Sequence, residues 1–236
     1  MIPKLIHQIW LGEQPMHPVL AECTRRWAAL HPGWDVILWS DPTGLSSVGS
    51  SWRGRSRVDA GPEYAALLAR ACHLSQRSNI WRYLITSLYG GVYADTDVEP
   101  LRPVDDLVSW GRAAFAARRS LPDGLPAVYE CAFYGAELGH PWVEQLAADL
   151  HTRDPAVPLS MGVDYFTQVT AEHPGVTILP RDLALFQPPD DWEAAKLKGE
   201  VPALCDAARL PPAGAYVKHH WSSNWFPPSF QQLPRS

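Results

Sequence analysis

The sequence predicts an α/β fold, with a mixed central sheet flanked by helices. Two observations lead there. Short runs rich in β-formers alternate with amphipathic helical runs along the chain, the pattern of a sheet covered on both faces. A strong helical stripe over Ser78 to Tyr89 ends at Gly90-Gly91 and passes at once into a strand. With 236 residues and no internal repeat, the chain is expected to form one domain over 1–236.

The elements follow in order. Lys4 to Trp10 alternates and reads as the first strand, ending at Leu11-Gly12. Pro18 to Leu30 has helical spacing through Leu20, Trp27 and Leu30, and His31-Pro-Gly stops it. Asp35 to Trp39 is a short buried strand. Residues 41 to 61, rich in Ser, Gly and Arg, read as a mobile loop; Pro62 then opens a helix that runs to Ala71. In the helix from Ser78, Ile80, Leu84 and Leu88 form the apolar stripe, while Asn79 and Arg82, three apart, share another face. Ala113 to Ala117 and Val128 to Ala136 are further strands, Pro141 to His151 and Val163 to His173 helices, and Val176 to Leu179 a strand. Residues 187–214 are proline-rich and carry no clear element, and Ala215 to His220 is the last strand.

Composition narrows the function. A net charge of −5 with no basic run argues against a nucleic-acid surface, which needs clustered cations to neutralise phosphates. Arg53, Arg55 and Arg57 form one local basic patch, more ordinary as a solvated loop. The four cysteines, at 23, 72, 131 and 205, match no zinc spacing and no disulfide framework. The opening residues read as a strand and not a signal peptide, and no apolar run is long enough to span a bilayer. The expected location is cytoplasmic.

The most informative stretch is Tyr89-Gly-Gly-Val-Tyr-Ala-Asp-Thr-Asp-Val98. In extended chain, residues two apart point the same way, so Asp95 and Asp97 can aim at one point while Val92 and Val98 pack inward. Two close carboxylates repel, and a divalent cation removes that cost; hard oxygens suit magnesium or manganese, which keep positions open for substrate phosphates. The expected site binds a metal and a diphosphate beyond the carboxyl ends of the strands, where Trp10 also emerges. For a lone Asp-x-Asp, a solvated acidic turn is the ordinary alternative.

Several segments in this order resemble glycosyltransferase family 32, and are similar to the catalytic core of the large clostridial glucosylating toxins and to fungal initiating mannosyltransferases. They are Ile2 to Gly12, His31-Pro-Gly-Trp34 with Trp39, Ser78 to Leu84 with Gly90 to Asp97, Gly139-His-Pro141, Ser160-Met-Gly162, Ile178-Leu-Pro180 and His219-His-Trp-Ser-Ser-Asn-Trp225. The resemblance implies a GT-A type domain with a C-terminal loop, about 219–236, closing over the donor. It implies transfer of a hexose from a nucleotide-diphosphate sugar with retention, a UDP-sugar being favoured and GDP-mannose the other choice. It also implies the roles. Trp10 stacks on the base, with a core tryptophan as the equal alternative. Ser78, Asn79 and Arg82 meet the donor sugar, and Tyr93 lies near the ribose. Asp95 and Asp97 hold Mn²⁺ or Mg²⁺ with a late histidine, His220, chosen because it precedes Trp225 by five residues. His219 is its competitor, since neighbours on a strand face opposite ways. Ser223 and Trp225 donate to the diphosphate. Asp95, Asp97 and Arg82 are thus the implied catalytic set. Asn79 and Asn224 stand where the family usually has Asp and Ser, and Val163 where it has Pro.

The chemistry expected from this set is stabilisation of a departing diphosphate by the cation and by hydrogen bonds. A retaining front-face attack, in which a phosphate oxygen takes the acceptor's proton, then needs no dedicated base. Glu130 and Asp164 are the other acids to watch, as acceptor contacts. The acceptor, a glycan, glycolipid or protein, is open. The rival readings are a sugar-nucleotide hydrolase and a catalytically weak sugar-nucleotide binding protein.

Overall fold

The computed structural model describes residues 1–13, 15–41, 46–50, 57–109, 111–118, 126–157, 160–180, 183 and 214–220. Its main sheet has six strands: β1 (Leu5–Ile9), β2 (Asp35–Trp39), β5 (Gly91–Ala94), β7 (Ala114–Arg118), β8 (Tyr129–Ala136) and β9 (Thr177–Leu179). They lie in the order β2-β1-β5-β8-β7-β9. β1 is parallel to β2 and β5, β8 runs antiparallel to β5 and β7, and β9 is parallel to β7. The sheet is mixed, as the alternation of strands and helices predicts.

Alternate residues along the inner strands feed two separate cores, as period-two side chains require. Ile9, Tyr93 and Tyr134 join the core beneath α2 (Gly61–Arg70), α3 (Leu74–Tyr89), α5 (Pro141–Ala148) and α6 (Val163–Ala171). Ile6, Val92 and Phe133 join the other, under α1 (Pro18–Leu30) and α4 (Asp105–Ser109). Trp27 is fully buried there, and its indole N–H donates to the carbonyl of Val98 at 2.9 Å. That bond satisfies the one polar atom of a large apolar side chain and pins α1 beneath the aspartate segment.

Four local features depart from the pattern reading. α3 begins at Leu74, four residues before Ser78, because His73 and Gln76 form a capping box; the His73 N–H donates to Gln76 Oε1 at 3.3 Å. The stretch expected as a loop contains an antiparallel pair, β3 (Ser47–Val48) with β4 (Val58–Asp59). Arg57 braces that pair, hydrogen-bonded to Ser47 and 3.7 Å from Asp59, while Arg53 and Arg55 lie outside the described residues. α4 was not read from the sequence at all. Finally, the Gly90-Gly91 strand ends at Ala94, before the aspartates. A separate short strand, β6 (Val98–Pro100), follows and pairs antiparallel with β10 (Val217–His219) in a two-stranded ribbon.

Two glycines make the helix-to-strand passage possible. Gly90 (φ +62°) caps α3, its N–H reaching Thr86 O at 2.9 Å. Gly91 (φ +96°) lies so close to β1 that an added Cβ would sit 2.9 Å from the backbone oxygen of Leu5. Both need the left-handed conformation that side chains resist. His7 closes the same corner: its Nε2 bonds Gly90 O at 2.9 Å and its Nδ1 lies 3.2 Å from the Trp39 indole nitrogen. The carbonyl can only accept and the indole can only donate, so the ring is the neutral Nε2–H tautomer. Burial drives its pKa down from 6.5 to about 4, in keeping with that.

Candidate active site

Asp95 and Asp97 do not converge by strand alternation, as the sequence reading supposed. They lie in the turn after β5, closed by the Val98 N–H donating to Asp95 O at 2.9 Å. A second bond, from Asp95 N–H to Ala132 O at 2.9 Å, fastens the turn to β8. β8 changes register against β7 at this point, Ala116 pairing with Tyr134 but Ala117 with Glu130, while on its other edge Phe133 pairs with Ala94 and Ala132 takes the Asp95 N–H.

Arg82 is the main brace. It projects from α3, 5% exposed, and its Nη1 donates to Cys131 O at 2.7 Å while Nη2 pairs with Asp95 Oδ1 at 3.2 Å. Its guanidinium lies 4.8 Å from the centre of the Tyr93 ring, and the Tyr93 hydroxyl donates to the same Asp95 Oδ1 at 2.6 Å. Both bonds fall on one oxygen and fix the orientation of the carboxylate. Burial opposes the charge on Arg82, but Asp95 together with Tyr93, Cys131 and Tyr83 outweighs it and raises the guanidinium pKa. Burial pushes the Asp95 carboxyl up, and Asp97 pushes the same way against the pull of Arg82. This is the electrostatic cost that an added positive charge relieves.

The imidazole brought to this pair is that of His219. Its Nε2 lies 3.2 Å from Asp97 Oδ1, and burial, which opposes its charge, is overcome by Asp97, Glu130 and Asp95, so its pKa rises. Asp95, Asp97 and His219 each offer a ligand atom, and these atoms lie within 4.8 Å of one another. Two carboxylates and an imidazole fit a divalent cation with mixed oxygen and nitrogen preference.

The choice of His220 over its neighbour is therefore corrected. His220 turns away and bonds Glu99 Oε2 at 2.8 Å, since adjacent residues on β10 and its end face opposite sides. The structure thus brings His219, and not the His220 suggested by the spacing from Trp225, to the aspartates.

The other expected residues fall as follows. Ser78 and Asn79 are buried on α3, Asn79 one turn before Arg82. Tyr93 is buried on β5 against Arg82 and Asp95. Trp10 is half-buried where β1 ends, its N–H on Trp39 O at 2.9 Å. Ser223 and Trp225, with the expected C-terminal loop beyond residue 220, lie outside the described residues. Glu130, 3% exposed, lies close enough to His219 to act on its charge, whereas Asp164 is in the exposed first turn of α6. The reading had no place for Glu99; its position two residues past Asp97 was the available signal.

A mixed sheet with paired aspartates at the exit of an inner strand defines a GT-A type architecture. Residues 18–113 match the family described as glycosyltransferase sugar-binding region containing DXD motif. It is 28% identical over 197 residues to inositol phosphoceramide mannosyltransferase 1 of Schizosaccharomyces pombe, covering 76% of this chain and 56% of that protein. It is 28% identical over 150 residues to inositol phosphoceramide mannosyltransferase 3 of the same organism, covering 63% of this chain and 37% of that one. The chain thus spans about half, or less, of the length of these relatives. The solved structure of PaToxG glycosyltransferase shares the fold, with a TM-score of 0.52 at 18% identity, covering 74% of this chain and 71% of that chain. No helix among the described residues is long and apolar enough to cross a membrane.

Proposed function

We propose that this chain transfers a hexose from a nucleotide-diphosphate sugar, and that Asp95, Asp97 and His219 hold the divalent cation that transfer requires. The observation that carries the reading is the convergence of two carboxylates and an imidazole within 4.8 Å at the exit of β5. A bound cation there supplies Lewis-acid stabilisation of the departing diphosphate. Arg82 favours the ionised form of Asp95 and orients it, and Tyr93 holds the same oxygen, so one lone-pair face stays turned to the site. Trp10 offers a flat surface at the end of β1 for the donor's base, and Ser78 and Asn79 precede Arg82 on the helix that faces the donor sugar. Ser223 and Trp225 belong to this proposal as donors to the diphosphate.

The family's sugar-binding description supports a sugar donor, and the two relatives' names favour mannose. A GDP-mannose donor is accordingly placed ahead of the UDP-sugar that the toxin resemblance suggested. By the same relatives, a glycolipid bearing an inositol phosphate is the acceptor to try first. Retention of configuration is retained as the stereochemical proposal.

The test is turnover of a panel of GDP- and UDP-sugars, with Mn²⁺ and with chelator, with and without glycolipid acceptor, and NMR of the product anomer. Metal-dependent transfer with retention supports the proposal. Release of free sugar only, at the same rate with and without acceptor, assigns a hydrolase. Binding without turnover assigns a sugar-nucleotide binding protein.

A further inference from the structure

We propose that Glu99 is a positioning residue that holds His220 away from the aspartates and so steadies the ribbon end that presents His219 to them; its link to cation binding rests on the reading above. The ribbon that carries His219 is only three residues long on each side, with Val217, Lys218 and His219 opposite Pro100, Glu99 and Val98. A two-stranded ribbon of that length is marginal by itself and lies outside the main sheet. Val217, fully buried in the core, sets which faces the ribbon presents, so His219 and His220 point opposite ways. Each histidine then takes its own acid.

The arrangement is visible as two parallel pairings. Asp97 takes His219 at 3.2 Å and Glu99 takes His220 at 2.8 Å, while the His220 N–H donates to Asp97 O at 2.9 Å. Glu99 is itself anchored from outside the ribbon. Its Oε1 accepts from Arg26 of α1 and its Oε2 faces His220, so its two oxygens bind two different elements. The indole of Trp27, next to Arg26, bonds Val98 O between the two acids. Without Glu99, His220 would lose its side-chain partner and the ribbon's end its tie to Arg26 of α1. The Arg26–Glu99–His220 set thus fastens the ribbon's end to α1, although none of the three is among the candidate cation ligands.

The experiment compares wild type with Glu99→Gln and with the milder Arg26→Gln, in two readouts. The first is long-range ¹H–¹⁵N NMR of the imidazoles in metal-free protein. Both variants are expected to move the ring signals of His219 as well as His220; a change confined to His220 overturns the positioning role. The second is Mn²⁺ binding followed by electron paramagnetic resonance, without donor. Glu99→Gln is expected to weaken binding about tenfold or more, with kcat at saturating Mn²⁺ within about threefold of wild type. Unchanged Mn²⁺ affinity in a variant that has moved His219 overturns the link to the cation. Failure of wild type itself to bind Mn²⁺ refutes the cation reading, while the NMR result still decides the role of Glu99. If Glu99→Gln does not fold, Arg26→Gln gives both readouts with the carboxylate intact.

Discussion

His7 provides a pH-dependent stability that can be worked out from its two hydrogen bonds. In the folded chain the ring donates to Gly90 O through Nε2 and faces the Trp39 N–H with Nδ1, so protonation would set two donors against each other. Its pKa falls from 6.5 to about 4 on burial. Between those values the unfolded chain binds one more proton than the folded chain, so stability rises with pH. The contribution is complete above about pH 6.5 and is lost as pH falls toward 4. The loss amounts to about 2 kcal/mol by pH 5 and about 3 kcal/mol by pH 4. Urea titrations of wild type and His7→Gln across this range isolate the effect, since other groups titrate in both. The difference between the two proteins should shrink as pH falls. Parallel curves from pH 8 to pH 4 would refute the argument for a neutral, tautomer-locked His7.

Two further outcomes follow from the site. Gly91→Ala places a Cβ 2.9 Å from Leu5 at φ +96°, and should cost about 3 kcal/mol in the urea midpoint, from strain and overpacking together. Arg82→Lys cannot span both Cys131 O and Asp95, and should lower kcat/KM about tenfold or more with a loss of about 2 kcal/mol in stability; wild-type kinetics would show that the fork is not needed.

The parts of the fold written in local rules were legible. The helix over residues 18–30, the Gly90-Gly91 corner and the alternation along β1, β5 and β8 depend on capping, positive φ and side-chain period, which a sequence displays directly. The cap of α3 was missed because a histidine and a glutamine do the work more often given to Ser and Glu. At the site, the residue types were readable and their geometry was not. Asp95 and Asp97 meet through a turn held by β8, a strand about 40 residues further on. His219 reaches the aspartates across some 120 residues of chain, while its neighbour His220 is held by Glu99 and, through it, Arg26. Such pairings leave no trace in local spacing, so counting back from Trp225 could not tell the two histidines apart.

Titration of Mn²⁺ into wild type and Asp97→Asn, read by electron paramagnetic resonance in the presence of GDP, tests the shared cation most directly. One bound ion in wild type, with affinity at least about a hundredfold lower in the variant, is the predicted result; this corresponds to about 3 kcal/mol. Equal affinity in the two proteins would contradict it.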